Sequence, residues 1–320
     1  NVAKSDSVAV SADKTQSTDT SVQQNIDTDD VTLTVSGNAQ VDDDAKAVAV
    51  DSGVSGAAVI VESGSTITTT SGDNGIIADT TTLTDITNSG TISAYKNKAI
   101  DIYRSTNSSI TNNSGASISS VGNTIRTGGT SGDPSTGYTI TNSGKIFTTS
   151  TGTKSSVLFG NENSSGGTIT NNLGAEIYSG GNVATIRVGG TTTITNRGSI
   201  KNNASTSDNV IELLGSNNTV TLEEGSILVG KISSGSGTSG NTLKLNLGAG
   251  QGYFYETVGD FTLQDLDGNQ VVKGSAGSVG QGGSETLDEL LSYKSLNLRQ
   301  FFKKYKNSEN FNKNSGWGET

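Results

Sequence analysis

Cysteine, histidine and methionine are all missing from this 320-residue chain, and proline occurs once, at Pro134. Without cysteine there is no disulfide framework and no thiolate metal site. Without histidine, neither a Ser-His-Asp nor a Cys-His nucleophile arrangement can be assembled. The lack of thiols also suits a chain that must stay unfolded while crossing an oxidising periplasm. With no methionine, Asn1 reads either as a mature terminus left by signal-peptide removal or as a boundary within a longer product. Apolar residues make up 30% and aromatic residues 5%, too few for a conventional core of this length. No run of 18 apolar residues exists, so no segment here is expected to span a bilayer as a helix. Basic residues are scarce: 21 Lys and Arg stand against 31 Asp and Glu, a net charge of −10. No basic stripe supplies counterion release, which argues against nucleic acid as a partner. Acidity of this kind suits solubility outside the cell.

The apolar residues that are present fall in short clusters at regular intervals. That separates the chain from a disordered one of similar composition. The pattern Ile-Thr-Asn…Gly…Ile recurs as Ile86-Thr-Asn88-Ser-Gly90-Thr-Ile92, Ile110-Thr-Asn112-Asn-Ser-Gly115-Ala-Ser-Ile118 and Ile140-Thr-Asn142-Ser-Gly144-Lys-Ile146. It continues as Ile169-Thr-Asn171-Asn-Leu-Gly174-Ala-Glu-Ile177 and Ile194-Thr-Asn196-Arg-Gly198-Ser-Ile200, with a degenerate copy from Val220 through Gly225 to Ile227. First positions lie 24, 30, 29, 25 and 26 residues apart. Between copies sits another apolar patch, such as Ala99-Ile100-Asp101-Ile102, Ile125, Val157-Leu158-Phe159, Ile186-Arg187-Val188 and Val210-Ile211-Glu212-Leu213.

Each period therefore holds about three short strands joined by Gly, Ser, Asn and Thr turns. That is what one coil of a parallel β-helix requires, and the fold class expected is an all-β, right-handed parallel β-helix. Isoleucine should point inward and stack on the next coil's isoleucine, while threonine points outward. The asparagines are expected at the turn after the first strand, where their amides can form a ladder between coils. Gly90, Gly115, Gly144, Gly174, Gly198 and Gly225 are expected to take backbone conformations that a Cβ forbids.

Weaker copies upstream, from Val31-Thr-Leu-Thr-Val35 through Gly75-Ile-Ile-Ala78, place the solenoid at about residues 31–247. That gives about eight coils and a rod of roughly 40 Å. Residues 1–30 read as a flexible N-terminal segment or cap. The run Asp42-Asp43-Asp44 could bind calcium, though a solvated turn is the preferred reading. Residues 248–275, with Asp267-Gly268 between apolar alternations, read as a C-terminal hairpin cap. Residues 276–283 read as a Gly/Ser linker. From Ser284 the pattern turns helical through Leu287, Leu290, Leu291 and Leu298, as a linker helix and tail over 284–320.

The repeats, the aromatic Phe261-to-Val272 stretch and the helical segment before Ser315-Gly-Trp317-Gly resemble the passenger of an autotransporter (type V secretion). The resemblance covers about residues 31–306. It implies display at the outer surface of a Gram-negative bacterium, through an outer-membrane barrel following the passenger. No barrel sequence is present in this chain. It also implies folding outward from the C-terminal end, with residues 248–275 as the template.

The expected function is a non-enzymatic adhesin or surface scaffold meeting a host or neighbouring-cell surface, glycans or itself. A self-assembling filament or surface-layer subunit, which is a homo-oligomer, is the alternative. A carbohydrate-active enzyme is the less favoured one. Its candidate side chains by repeat phase are Asp101, Arg126, Arg187 and Glu212, which mix signs and spread over about four coils. No catalytic, cofactor or metal residue is assigned.

Overall fold

The computed structural model describes residues 7–43, 46–71, 74–149, 156–181, 183–203, 208–246, 252–264, 276–280 and 294–300. Their architecture is a β-solenoid. Three sheets of twelve, eleven and eight strands run along the rod, the third from Gln40 to Val229, with a two-stranded fragment at one corner. In one coil, Asp85–Asn88 lies in the second sheet, Thr91–Ala94 in the third and Lys98–Asp101 in the first. The chain then returns to the second sheet at Ser109–Asn112, with Ile86 paired to Ile110 and Asn88 to Asn112 in parallel. The one helix among the described residues covers 294–300, inside the stretch expected to be helical; residues 284–293 lie outside the described ones.

Register explains the spacing of the repeats. In the second sheet Leu33, Val59, Ile86, Ile110, Ile140, Ile169, Ile194, Val220, Leu243 and Leu263 stack as one inward column. The third sheet stacks Val41, Ile67, Ile92, Ile118, Ile146, Ile177 and Ile200. The first stacks Val48, Ile76, Ile100, Ile125, Leu158, Ile186, Ile211 and Ile232. All are buried, and each such side chain contributes roughly 1.5–3 kcal/mol on leaving water. A thin tube therefore assembles a continuous core from few apolar residues, because one inward residue per strand serves the coils on both sides.

The corners solve a backbone problem that the strands do not have. Asp30, Gly56, Leu83, Asn107, Gly137, Gly166, Thr191, Asn217 and Gly240 all have positive φ. From Asp30 to Asn217, each donates its backbone N–H to a carbonyl one coil further on. They form one column of left-handed residues, and glycine, asparagine and aspartate fill most of it as the αL region demands.

The repeat glycines divide in two. Gly115, Gly174 and Gly225 have φ between +75° and +81° with open space where a Cβ would stand, as expected. No positive φ is found at Gly90, Gly144 or Gly198. A Cβ there would lie 2.2–2.4 Å from the carbonyls of Ser65, Ala116 and Ala175 in the preceding coil. The short corner of one coil sits under the long corner of its neighbour, and only a hydrogen fits between them.

The solenoid begins earlier than residue 31. Ser7–Val10 pairs in parallel with Gln23–Ile26, which pairs with Lys46–Val50, and Lys14–Gln16 pairs with Thr32–Val35. The first sheet thus stacks eleven parallel strands before its last, antiparallel one, about 50 Å at the usual spacing. Periodicity was hidden here because polar side chains occupy inward positions. Lys14 shares the Leu33 column and Gln24 the Val48 column, and Lys14 Nζ donates to Gln24 Oε1 at 2.5 Å. The carboxylates of Asp13, Asp19 and Asp29 accept from backbone N–H groups of Thr32, Gln40 and Ser55. Residues 7–30 form a polar first coil that covers a strand edge.

At the other end, Thr262–Gln264 continues the second sheet in parallel, paired with Thr242–Asn246, so the Phe261 stretch extends the solenoid. The antiparallel pairing is instead between Gly252–Val258 and Ala276–Gly280. Residues 276–280 of the expected linker are therefore a strand, paired along the edge of the first sheet. The Asp267-Gly268 turn and Val271-Val272 lie outside the described residues.

Candidate functional site

The repeat residues build the interior, and the asparagines go further inside than expected. Each strand reads inward at isoleucine, outward at threonine and inward again at asparagine. Asn88, Asn112, Asn142, Asn171 and Asn196 are consequently fully buried. Asn88 Nδ2 donates to Asn112 Oδ1 at 2.9 Å, and the ladder continues at 2.8 Å through Asn142 and Asn171 to Asn196. The second N–H of each amide reaches a backbone carbonyl of the coil above, such as Ser117 O from Asn88 and Glu176 O from Asn142. Oδ1 of Asn88 and of Asn142 also accepts from the backbone N–H of the corner glycine, Gly90 or Gly144. A buried amide is tolerated because its donors and acceptor are satisfied. Val61 precedes the ladder and Leu222 follows it in the same column.

A second buried polar feature was not anticipated. Tyr138 is buried, and its hydroxyl meets Thr192 Oγ1 at 3.2 Å, two coils on. Gly167, in the intervening coil, leaves the space that the ring passes through: a Cβ there would lie 2.1 Å from Tyr138 Cζ. Burial pushes the Tyr138 phenol above its ordinary range, so it stays a neutral donor and acceptor. Gly-Gly before Thr168-Ile169 was the available signal, hidden among many turn glycines.

On the outside, the first sheet carries the charges considered for catalysis. Asp101 and Arg126 are register partners joined by two bonds of 2.7 and 2.6 Å. The Arg126 guanidinium also lies 3.9 Å from the centre of the Tyr103 ring. Arg187 and Glu212 are partners at 2.6 Å, and Arg104 grips Asp79 with two bonds of 2.8 Å. Burial alone would raise the Asp79 carboxyl, but the bonds from Arg104 and Thr80 outweigh it and hold the group below the usual carboxylate range. Two opposite pairs are thus brought together, while Asp101 and Glu212 stay four rungs apart. That is about 19 Å.

The third sheet's outer face carries Phe147 stacked on Tyr178, ring centres 4.9 Å apart and planes 6° from parallel. Beside them Lys145 and Lys201 share one carboxylate, Glu176, at 3.2 and 4.0 Å. The second sheet's outer face is different again, with columns of threonine (Thr111, Thr141, Thr170, Thr195 and, two residues earlier in the strand, Thr139, Thr168, Thr193).

The calcium reading of Asp42-Asp43-Asp44 meets a geometric obstacle. Strand alternation puts Asp42 outward beside Thr68, and Asp43 inward, buried and accepting from Lys46 N. The two carboxylates face opposite sides of the sheet and do not converge on one ion; Asp44 lies outside the described residues. Among the described residues no group of three His, Cys, Asp or Glu is placed to hold a metal, and no helix is long and apolar enough to cross a membrane. No protein-family model matches the chain, and neither a curated protein nor a solved structure matches it.

Proposed function

We propose that this chain is a rod-shaped binding scaffold displayed outside the cell, an adhesin or surface scaffold of the autotransporter-passenger kind. The observation that carries the reading is the pairing of its outward charges. A glycoside-hydrolysing enzyme built on such a rod would ordinarily place two carboxylates within about 5–10 Å of each other across a substrate. Here Asp101 and Glu212 are each engaged by an arginine of a neighbouring coil and separated along the rod. These paired charges bridge neighbouring coils, which leaves the threonine face of the second sheet and the aromatic face of the third to meet a partner. Surface expression of the chain on a non-adherent cell should confer attachment to cells or to immobilised glycans. Attachment no greater than that of cells carrying an empty display scaffold would refute it. The secretion route is tested by the gene downstream, where a barrel-coding sequence is expected.

A second reading, a self-assembling filament or layer, is favoured by one specific feature. The threonine columns of the second sheet are free of charge from Ser109 to Thr221, and among the described residues the hydroxyls of Thr139, Thr141, Thr168, Thr170, Thr193 and Thr195 have no partner within the chain. Ordered polymers in electron micrographs of purified protein would support it, and monodisperse single rods would exclude it.

A further inference from the structure

We infer that the third sheet's outer face carries a glycan-binding shelf at Phe147, built to take an acidic sugar. This deepens the surface-binding reading and rests on it. The outward column there runs Ser93, Ser119, Phe147, Tyr178, Lys201 in register. Tyr178 covers one face of the Phe147 ring. On the opposite face the next position of the column holds only the Ser119 hydroxymethyl group, so the aromatic stack stops abruptly above a small residue.

One rung, about 4.8 Å, nearly equals the 4.9 Å separation of the two stacked rings. A six-membered sugar ring laid on the open face of Phe147 therefore occupies the place that a third aromatic side chain would fill. Its apolar C–H face meets the ring, and its hydroxyls meet the serine floor. The Ser119 hydroxyl has no partner among the described residues, so it is available to the ligand.

The neighbouring outward column supplies the charge. Lys145 stands directly over Ser117, as Phe147 stands over Ser119, and its side chain is 61% exposed. Lys145 and Lys201 share a single carboxylate, Glu176. The cluster therefore carries a local excess of one positive charge on a protein of net charge −10. A neutral sugar would leave that excess unused. A uronic or sialic acid, with its carboxylate turned toward Lys145, complements it.

The test is a glycan array probed with the purified chain and two variants that alter the shelf in opposite ways. Phe147→Ala removes the wall. Ser119→Phe leaves the wall and fills the shelf, with a ring that the register already accommodates between Phe147 and Tyr178. Wild type should bind glycans carrying acidic sugars, and both variants should bind them at least tenfold more weakly with unfolding midpoints close to wild type. Lys145→Gln should narrow the preference for acidic over neutral glycans. Binding undiminished in both shelf variants would overturn the shelf and leave the surface-binding reading standing. Retention of no glycan by the wild type would overturn the shelf as well. If the displaying cells then still attach to bare cells, the broader reading survives; if they attach to neither, it falls too.

Discussion

Replacing one asparagine of the internal ladder by leucine tests how the rod is held in register. Leucine has the same branching as asparagine and nearly the same shape, so the change removes hydrogen bonds with little steric disturbance. The side chain of Asn142 takes part in four bonds: from Asn112 Nδ2 and Gly144 N, and to Asn171 Oδ1 and Glu176 O. Asn196, at the end of the ladder, takes part in two, from Asn171 Nδ2 and to Ile227 O. With about 1 kcal/mol net per buried bond, Asn142→Leu forfeits about 4 kcal/mol and Asn196→Leu about 2 kcal/mol. The gain from burying leucine enters both and cancels in the comparison; at position 196 the new side chain also meets Leu222 in its own column. The expected result is that Asn142→Leu is less stable than Asn196→Leu by about 2 kcal/mol. Urea titration followed by far-ultraviolet circular dichroism reads the difference as a shift in midpoint at similar slope. Equal midpoints, or a more stable Asn142→Leu, would mean that the ladder is incidental to stability and the reasoning is wrong.

Four further outcomes follow from the same geometry. Gly167→Ala should cost about 1–3 kcal/mol or more through overpacking against Tyr138, and Gly167→Ala with Tyr138→Ala should be far less than additive in a double-mutant cycle. Leu83→Gly should raise stability by up to about 1 kcal/mol, because Leu83 has φ +53° and is 51% exposed, so that little packing is lost when the strain is relieved; a lower melting temperature would contradict this. Gly144→Ala should lower the urea midpoint more than Gly115→Ala, since the first drives a Cβ to within 2.3 Å of Ala116 O, while the second meets open space and carries only the roughly 1–2 kcal/mol strain of a left-handed backbone. Asp101→Ala should destabilise by about 2–3 kcal/mol, because Asp101 is buried and leaves the partly buried Arg126 without its partner; Arg187→Ala, in a pair 27% exposed on each side, should cost less than about 1 kcal/mol in the same titration.

Much of the fold was legible because inward isoleucines cannot be written any other way. A column in a parallel stack repeats once per coil, so Ile86, Ile110, Ile140, Ile169 and Ile194 announce it at sight. The asparagines were legible as a ladder but not in direction. Asn followed by Ser-Gly reads locally as a turn, and only the strand's own alternation turns the amide inward. The left-handed corner column was illegible for another reason. Its demand is a backbone angle, met by glycine at four coils but by Asp30, Leu83, Asn107, Thr191 and Asn217 at the others, and glycines are common in every other turn of the chain, so the column does not stand out. The first coils were missed because Lys14 and Gln24 close the core with polar groups where periodicity is sought in apolar ones. The aromatic pair could have been found: Lys145-Ile-Phe147 and Glu176-Ile-Tyr178 share the phase of the third-sheet column, one residue beyond its isoleucine.

The polar interior also answers a difficulty that an all-isoleucine tube would face. Stacked identical strands are degenerate, since a shift along the strand or an omitted coil still places isoleucine near isoleucine. A slip of one residue would turn Asn142 outward and bury Thr141. A slip of two would set Asn142 against Ile110, break its bond from Asn112 and leave that buried amide donor without its acceptor. The ladder therefore fixes position along the strand. The corners fix order along the axis, because the short corners at Gly90, Gly144 and Gly198 fit beneath the long ones ending at Ser65, Ala116 and Ala175. Omitting one coil would bring two corners of the same kind together and lose that fit. Outward ion pairs between adjacent coils, Asp101 with Arg126 and Arg187 with Glu212, penalise the same error by placing unlike partners out of reach. A rod so constrained presents every outward residue at a defined height. That rigidity is what lets a single aromatic face, next to a serine one rung away, act as a shelf of fixed dimensions rather than a mobile patch.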